Sequence, residues 1–176
     1  MRLKRIAVLG AALTALVTVS GCSSSWGEDA GLPKAGDLAG IERIVSKHTM
    51  CSDLRAASGD GSMNEEAKNP SWGIGQRAVC GDDRDDTLTL LTVTDMEKFQ
   101  EANRKAAAQG GGGRFFVGQD FAIVPGNDRV AEKLKASGTL LFTCEKDFKI
   151  PQGYRQEELL VDGCALTDYL PAQPAG

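Results

Sequence analysis

Five cysteines, one histidine, a run of aspartates and a run of glycines are the residues from which this chain could build chemistry. Cys22 stands alone behind an apolar stretch, where a thiol is available for modification as a thioether. Cys51, Cys80, Cys144 and Cys164 are spread through the rest, where four thiols could form two disulfides or hold zinc. Zinc is the weaker reading, because there is no CxxC pair and His48 is the sole histidine. Four cysteines allow three pairings. The sequence-adjacent pairs Cys51–Cys80 and Cys144–Cys164 are favoured. Each closes a loop of moderate length, worth about 3–4 kcal/mol in the chain-entropy model.

The remaining candidates are weaker. A Ser-His-Asp hydrolase would have to be built on His48. That residue follows Leu38, Ile41, Ile44 and Val45 at helical spacing, so it is expected on a packed face rather than in a catalytic one. Asp82, Asp83, Asp85 and Asp86 crowd one turn and invite a calcium site. They lack the DxDxDG order and distal glutamate of a calcium loop, and Arg84 sits among them. A solvated hairpin turn is expected instead. Gly110 to Gly113 could cradle phosphate only between a preceding strand and a following helix. Here the order is helix then strand, with no Gly-Lys-Ser/Thr behind it. Neither a metal nor a cofactor is therefore expected. Paired carboxylates of the glycosidase kind stay open, although the acids fall mostly in turns and on polar helix faces.

The elements that position these residues begin with the leader. Arg2, Lys4 and Arg5 form a basic start, and Ile6 to Val19 an apolar run of 14 residues. As a helix that run would span about 21 Å, short of the ~30 Å hydrocarbon core. A cleaved signal over 1–21 is expected rather than a retained span. Val19-Ser20-Gly21-Cys22 resembles the lipobox of bacterial lipoprotein signal peptides. That resemblance implies lipidation of Cys22, which becomes the first mature residue and holds the protein on the extracytoplasmic face of the cell membrane. An ordinary secretory signal cut near Ser20 is the alternative.

Composition points the same way. The net charge of −4 deepens by three once Arg2, Lys4 and Arg5 are removed. No basic patch carries interleaved aromatics, so nucleic acid is not an expected partner. An acidic domain would not be drawn to an anionic membrane by charge, so lipid must do the tethering. Residues 22–36 are polar and glycine-containing and are expected to be a flexible tether, with Trp26 either at the lipid interface or loosely packed. Residues 37–170 are expected to be one extracytoplasmic domain, and 171–176 a disordered tail.

Within that domain a helix is expected from Leu38 to about His48, with Asp37 as its cap, and a long loop from Cys51 to Ser71. Strands are expected near 73–80 and 87–93. Leu88, Leu90, Leu91 and Val93 put apolar groups on both faces, the mark of a central strand. Thr94-Asp95-Met96-Glu97 reads as a capping box for a helix reaching about Gln109. A hairpin at 114–117 and 121–124, a helix capped by Asn127 or Asp128, and a strand at 139–143 follow. Glu157 to Asp162 could be strand or helix. The expected fold is a single α+β domain with a mainly antiparallel sheet of about five strands. In it a strand–strand–helix order occurs twice, and two disulfides staple it.

A cysteine after the first helix (Cys51), a cysteine ending the next strand (Cys80), the helix start Asp95-Met96-Glu97-Lys98-Phe99, and Gly112-Gly113-Arg114-Phe115-Phe116-Val117-Gly118-Gln119-Asp120-Phe121-Ala122-Ile123 occur together. Over about residues 37–143 this pattern resembles small exported lipoproteins of streptomycete-type actinobacteria. The resemblance implies the location, the α+β fold and the Cys51–Cys80 pair, and carries over no catalytic residue. The functional expectation is a non-catalytic binding or accessory module of the envelope, with an unknown envelope protein or ligand as partner. An envelope enzyme using carboxylates or His48, and a sensor or regulatory lipoprotein, are the alternatives. Acids buried around a pocket would favour the enzyme, and an apolar surface the binding module.

Overall fold

The computed structural model describes residues 26–56, 62–81 and 87–171. The proposed lipid site at Cys22 and the aspartate turn 82–86 lie outside the described residues. Six strands form one sheet: β1 (Ile74–Cys80), β2 (Leu88–Val93), β3 (Arg114–Val117), β4 (Phe121–Pro125), β5 (Leu140–Thr143) and β6 (Ala165–Thr167). Their order is β1-β2-β4-β3-β5-β6, and every neighbouring pair is antiparallel. The helices are α1 (Leu38–Val45), α2 (Asn64–Lys68), α3 (Met96–Ala108) and α4 (Asp128–Leu134). The architecture is thus the expected α+β domain, with one strand more than the sequence suggested.

Register explains why the strands are apolar on both faces. Leu90 stands opposite Ile123, Ile123 opposite Phe116, and Phe116 opposite Leu141. This row faces Ile41 and Val45 of α1 and Val130, Ala131 and Leu134 of α4. Leu91 opposite Ala122, Val117 opposite Leu140 and Phe115 opposite Phe142 form the other face. There Met96 and Phe99 of α3 cover them. Alternate residues of an extended chain point to opposite sides, so a sheet covered on both sides selects hydrophobic residues at nearly every position. The strand–strand–helix order does recur, but α3 and α4 lie on opposite faces, so the recurrence is one of order and not of placement.

Helix boundaries follow capping chemistry. Asp37 accepts from the Gly40 amide at 2.7 Å and starts α1 as expected. That helix ends at Val45, three residues short of His48, which is exposed and not on the packed stripe. The cap of α3 is Asp95, one residue later than a Thr94 capping box requires. Its carboxylate accepts from the Lys98 amide at 3.1 Å, while the Thr94 hydroxyl donates to Gly73 O at 3.0 Å. The Lys98 hydrogen bonds hold the Asp95 carboxyl below its usual range. Asn127 caps α4, accepting from the Val130 amide at 2.9 Å.

The two disulfides join Cys51 to Cys80 and Cys144 to Cys164. Cys144 and Cys164 continue the ladder one step beyond the Thr143–Ala165 pair, which brings their Cα atoms to 4.0 Å. That is closer than the usual ~4.4–6.8 Å. Part of the expected 51–71 loop is ordered, as α2 and a 3-10 turn at Pro70–Trp72. Residues 157–162 are neither strand nor helix, and β6 comes after them. Each outer strand meets one more residue: Arg55 pairs with Val79 of β1, and Gln156 with Thr167 of β6.

Candidate functional site

The strands give the domain two ends. Cys80, Leu88, Pro125, Arg114, Thr143 and Ala165 mark one of them in the register. Both disulfides are there. The other end carries the β3–β4 turn, Gly118 to Asp120, and the start of β1.

At the disulfide end, Arg114 opens β3 and Glu145 follows β5. Arg114 Nε and Nη2 donate to the two Glu145 carboxylate oxygens at 2.7 and 2.8 Å, a planar two-point match. These hydrogen bonds raise the guanidinium's pKa further, against the opposing effect of partial burial. The Phe148 ring lies 6.0 Å from the guanidinium carbon, and Tyr169 and Tyr154 extend the aromatic cluster at 6.0 and 4.8 Å.

Two grooves share this ion pair. One, of about 430 Å³, runs between the sheet and α4 over Phe116, Val124, Pro125, Ala131, Leu141 and Leu170. The second, of about 600 Å³, lies between Phe148 and Tyr169 on one side and Gly110 and Gly111 on the other, with Lys146 and Lys149 at its margin. Volumes of a few hundred Å³, an apolar floor and a few fixed polar groups are the usual makings of a ligand site. A third groove, of about 460 Å³, follows the arm 156–164 and is lined by Glu157, Glu158 and Asp162. Glu158 and Asp162 are exposed there, and Glu157 is already bonded to Arg155. This is not a pair of desolvated acids.

The glycine run does not form a phosphate cradle. Its Gly110 and Gly111 amides donate to Ala107 O and Ala106 O at 3.1 and 2.9 Å, and that of Gly113 to Asn103 Oδ1 at 3.1 Å. Those donors are spent on ending α3. Asn103, fully buried, also reaches Gly113 O through Nδ2 at 3.4 Å and so pins the run where it enters β3. One turn earlier, buried Gln100 accepts from the Leu160 amide at 2.9 Å and holds the arm. No sequence signal singled out either amide, nor the Arg114–Glu145 pair. A polar residue on the inner side of an otherwise apolar helix stripe is the pattern that could have found the amides.

At the opposite end, residues 26–36 are not a free tether. Leu32 is 3% exposed, in the core beside Val117 and Leu140, with Trp26 and Ala30 packed against the same cluster. Gln119 Nε2 donates to Leu32 O at 2.6 Å, and the Gln119 amide to Pro33 O at 2.9 Å. The Ala35 and Gly36 amides donate to the two Asp120 carboxylate oxygens, each at 2.8 Å. Gly118 permits the approach, since a Cβ there would sit 2.5 Å from Pro33 O and 2.1 Å from the Phe121 ring. The segment is a strap clamped across the β3–β4 turn.

Among the described residues no group of three or more His, Cys, Asp or Glu could hold a metal ion, and no helix is long and apolar enough to cross a membrane. No protein-family model, curated protein or solved structure matches this chain.

Proposed function

We propose that the chain is a lipid-anchored extracytoplasmic lipoprotein of the kind the leader resembles, and that its domain is a non-catalytic binding module of the envelope. The observation that carries the binding reading is the pair of grooves meeting at Arg114 and Glu145, with apolar and aromatic walls. It is supported by the position of His48, exposed beyond the end of α1 and outside every groove described above. Two disulfides suit an oxidising compartment, in keeping with export. The partner is an envelope protein or ligand that fits an apolar floor with a charged, aromatic rim.

Two measurements test this. Cys22→Ala removes the only thiol placed for a thioether, so the variant should lose labelling by a fatty-acid probe in cells and accumulate as precursor. Undiminished labelling would remove the anchor from the proposal. For the groove, Arg114→Ala and Tyr169→Ala should each weaken retention of the envelope partner at least about tenfold, the loss expected when a central aromatic or arginine anchor is truncated. Equal retention by both folded variants would move the binding surface elsewhere.

A further inference from the structure

We infer that the strap and the β3–β4 turn lie against the lipid surface, so that the grooves at Arg114 and Glu145 point away from the membrane. This rests on the Cys22 anchor proposed above and adds an orientation to it. Between Cys22 and the first packed residue, Trp26, stand only Ser23, Ser24 and Ser25. Four Cα steps reach at most about 14 Å. From Trp26 onward the chain is committed to the domain: Leu32 is buried, and Gln119 and Asp120 hold four backbone groups of residues 32–36. The strap thus delivers the anchor at one end of the sheet. The groove rim is at the other end of the strands, a height of about 20 Å for the six residues of β2. With so short a link, the disulfide end cannot be turned down onto the bilayer.

Charge does not compete with this arrangement. The strap exposes Glu28 and Asp29 as well as Lys34, so it is not a basic patch that would draw the domain down by itself. In sequence the aspartate run stands between Cys80 and Leu88, and those two described residues pair at the end facing away. The lipid sets the distance to the membrane, and the clamp sets the orientation.

The test uses the full-length lipidated protein in vesicles of neutral phospholipid carrying a headgroup energy acceptor. With Trp72→Phe, Trp26 is the only donor. With Trp26→Phe, Trp72→Phe and Lys146→Trp, the only donor is at the groove rim. Transfer from position 26 should exceed that from position 146 at least about twofold, given the ~20 Å difference in height. The double variant Gln119→Ala/Asp120→Ala, which opens the clamp, should abolish the difference. Equal or reversed transfer in protein that still floats with the vesicles would overturn the orientation while leaving the anchor standing. A difference that survives opening of the clamp would overturn the strap's part in it. Protein that fails to float would overturn both.

Discussion

Phe99→Ala is expected to destabilise the domain by about 3–5 kcal/mol, the cost of truncating a fully buried aromatic that its neighbours cannot replace. Phe99 is wholly inaccessible and stands at the centre of the α3 face of the sheet. Its ring meets Phe115 edge-on at 5.0 Å, Trp72 edge-on at 6.2 Å and Phe142 at 6.1 Å. The first and last belong to β3 and β5, and Trp72 closes the turn before β1. One truncation therefore loosens the helix from two strands and from the turn before β1 at once. Urea unfolding of the soluble domain measures it. A loss below about 1 kcal/mol, the scale of an ordinary surface change, would mean that α3 is not packed as described.

Removal of either disulfide is expected to cost about 2–5 kcal/mol, with the two losses close to each other. The bonds span sequence separations of 29 and 20 residues, and loop entropy grows only slowly with length. From the sequence alone, Cys144–Cys164 looks like the restraint on a loosely held arm, and its loss would first free that arm. The structure changes that expectation. Cys144 is 6% exposed and packs in the α3-side core, and Cys164 leads directly into β6, whose Leu166 is buried. Cys144→Ala/Cys164→Ala should therefore lower the global unfolding free energy nearly as much as Cys51→Ala/Cys80→Ala. Hydrogen exchange on the two variants distinguishes the cases. Faster exchange confined to residues 145–167 in the first variant would restore the arm picture.

What the sequence made legible was local. Leu88, Leu90, Leu91 and Val93 announce a strand buried on both faces, and β2 does lie between β1 and β4. Asp37 and Asn127 are readable as caps because capping needs only a side chain and an amide two or three positions on. Thr94 misled by one residue: its hydroxyl has a better partner in Gly73 O, a contact 21 positions away. His48 was misplaced because α1 stops with no glycine to signal it.

The long-range features were not legible. Leu32 stands in a polar, Gly- and Pro-containing stretch with no helical or strand periodicity, and the side chain that holds its carbonyl, Gln119, comes 87 positions later. The strand β6 is three residues long and owes its existence to β5. Arg114 and Glu145 are 31 residues apart, brought together by the β3–β5 register. No window of sequence contains such pairs.

The single-residue bridges on the outer strands have a consequence for self-association. A bare strand edge offers unpaired amides and carbonyls to any passing chain and is a template for sheet extension between molecules. Here Arg55 occupies part of the edge of β1, four residues from Cys51, and Gln156 part of the edge of β6, inside the loop closed by Cys144 and Cys164. Each staple therefore also holds a guard over one open side of the sheet. Reduction would cost more than folding energy. It would release both guards together and leave a molecule with two adhesive sides, able to grow into chains.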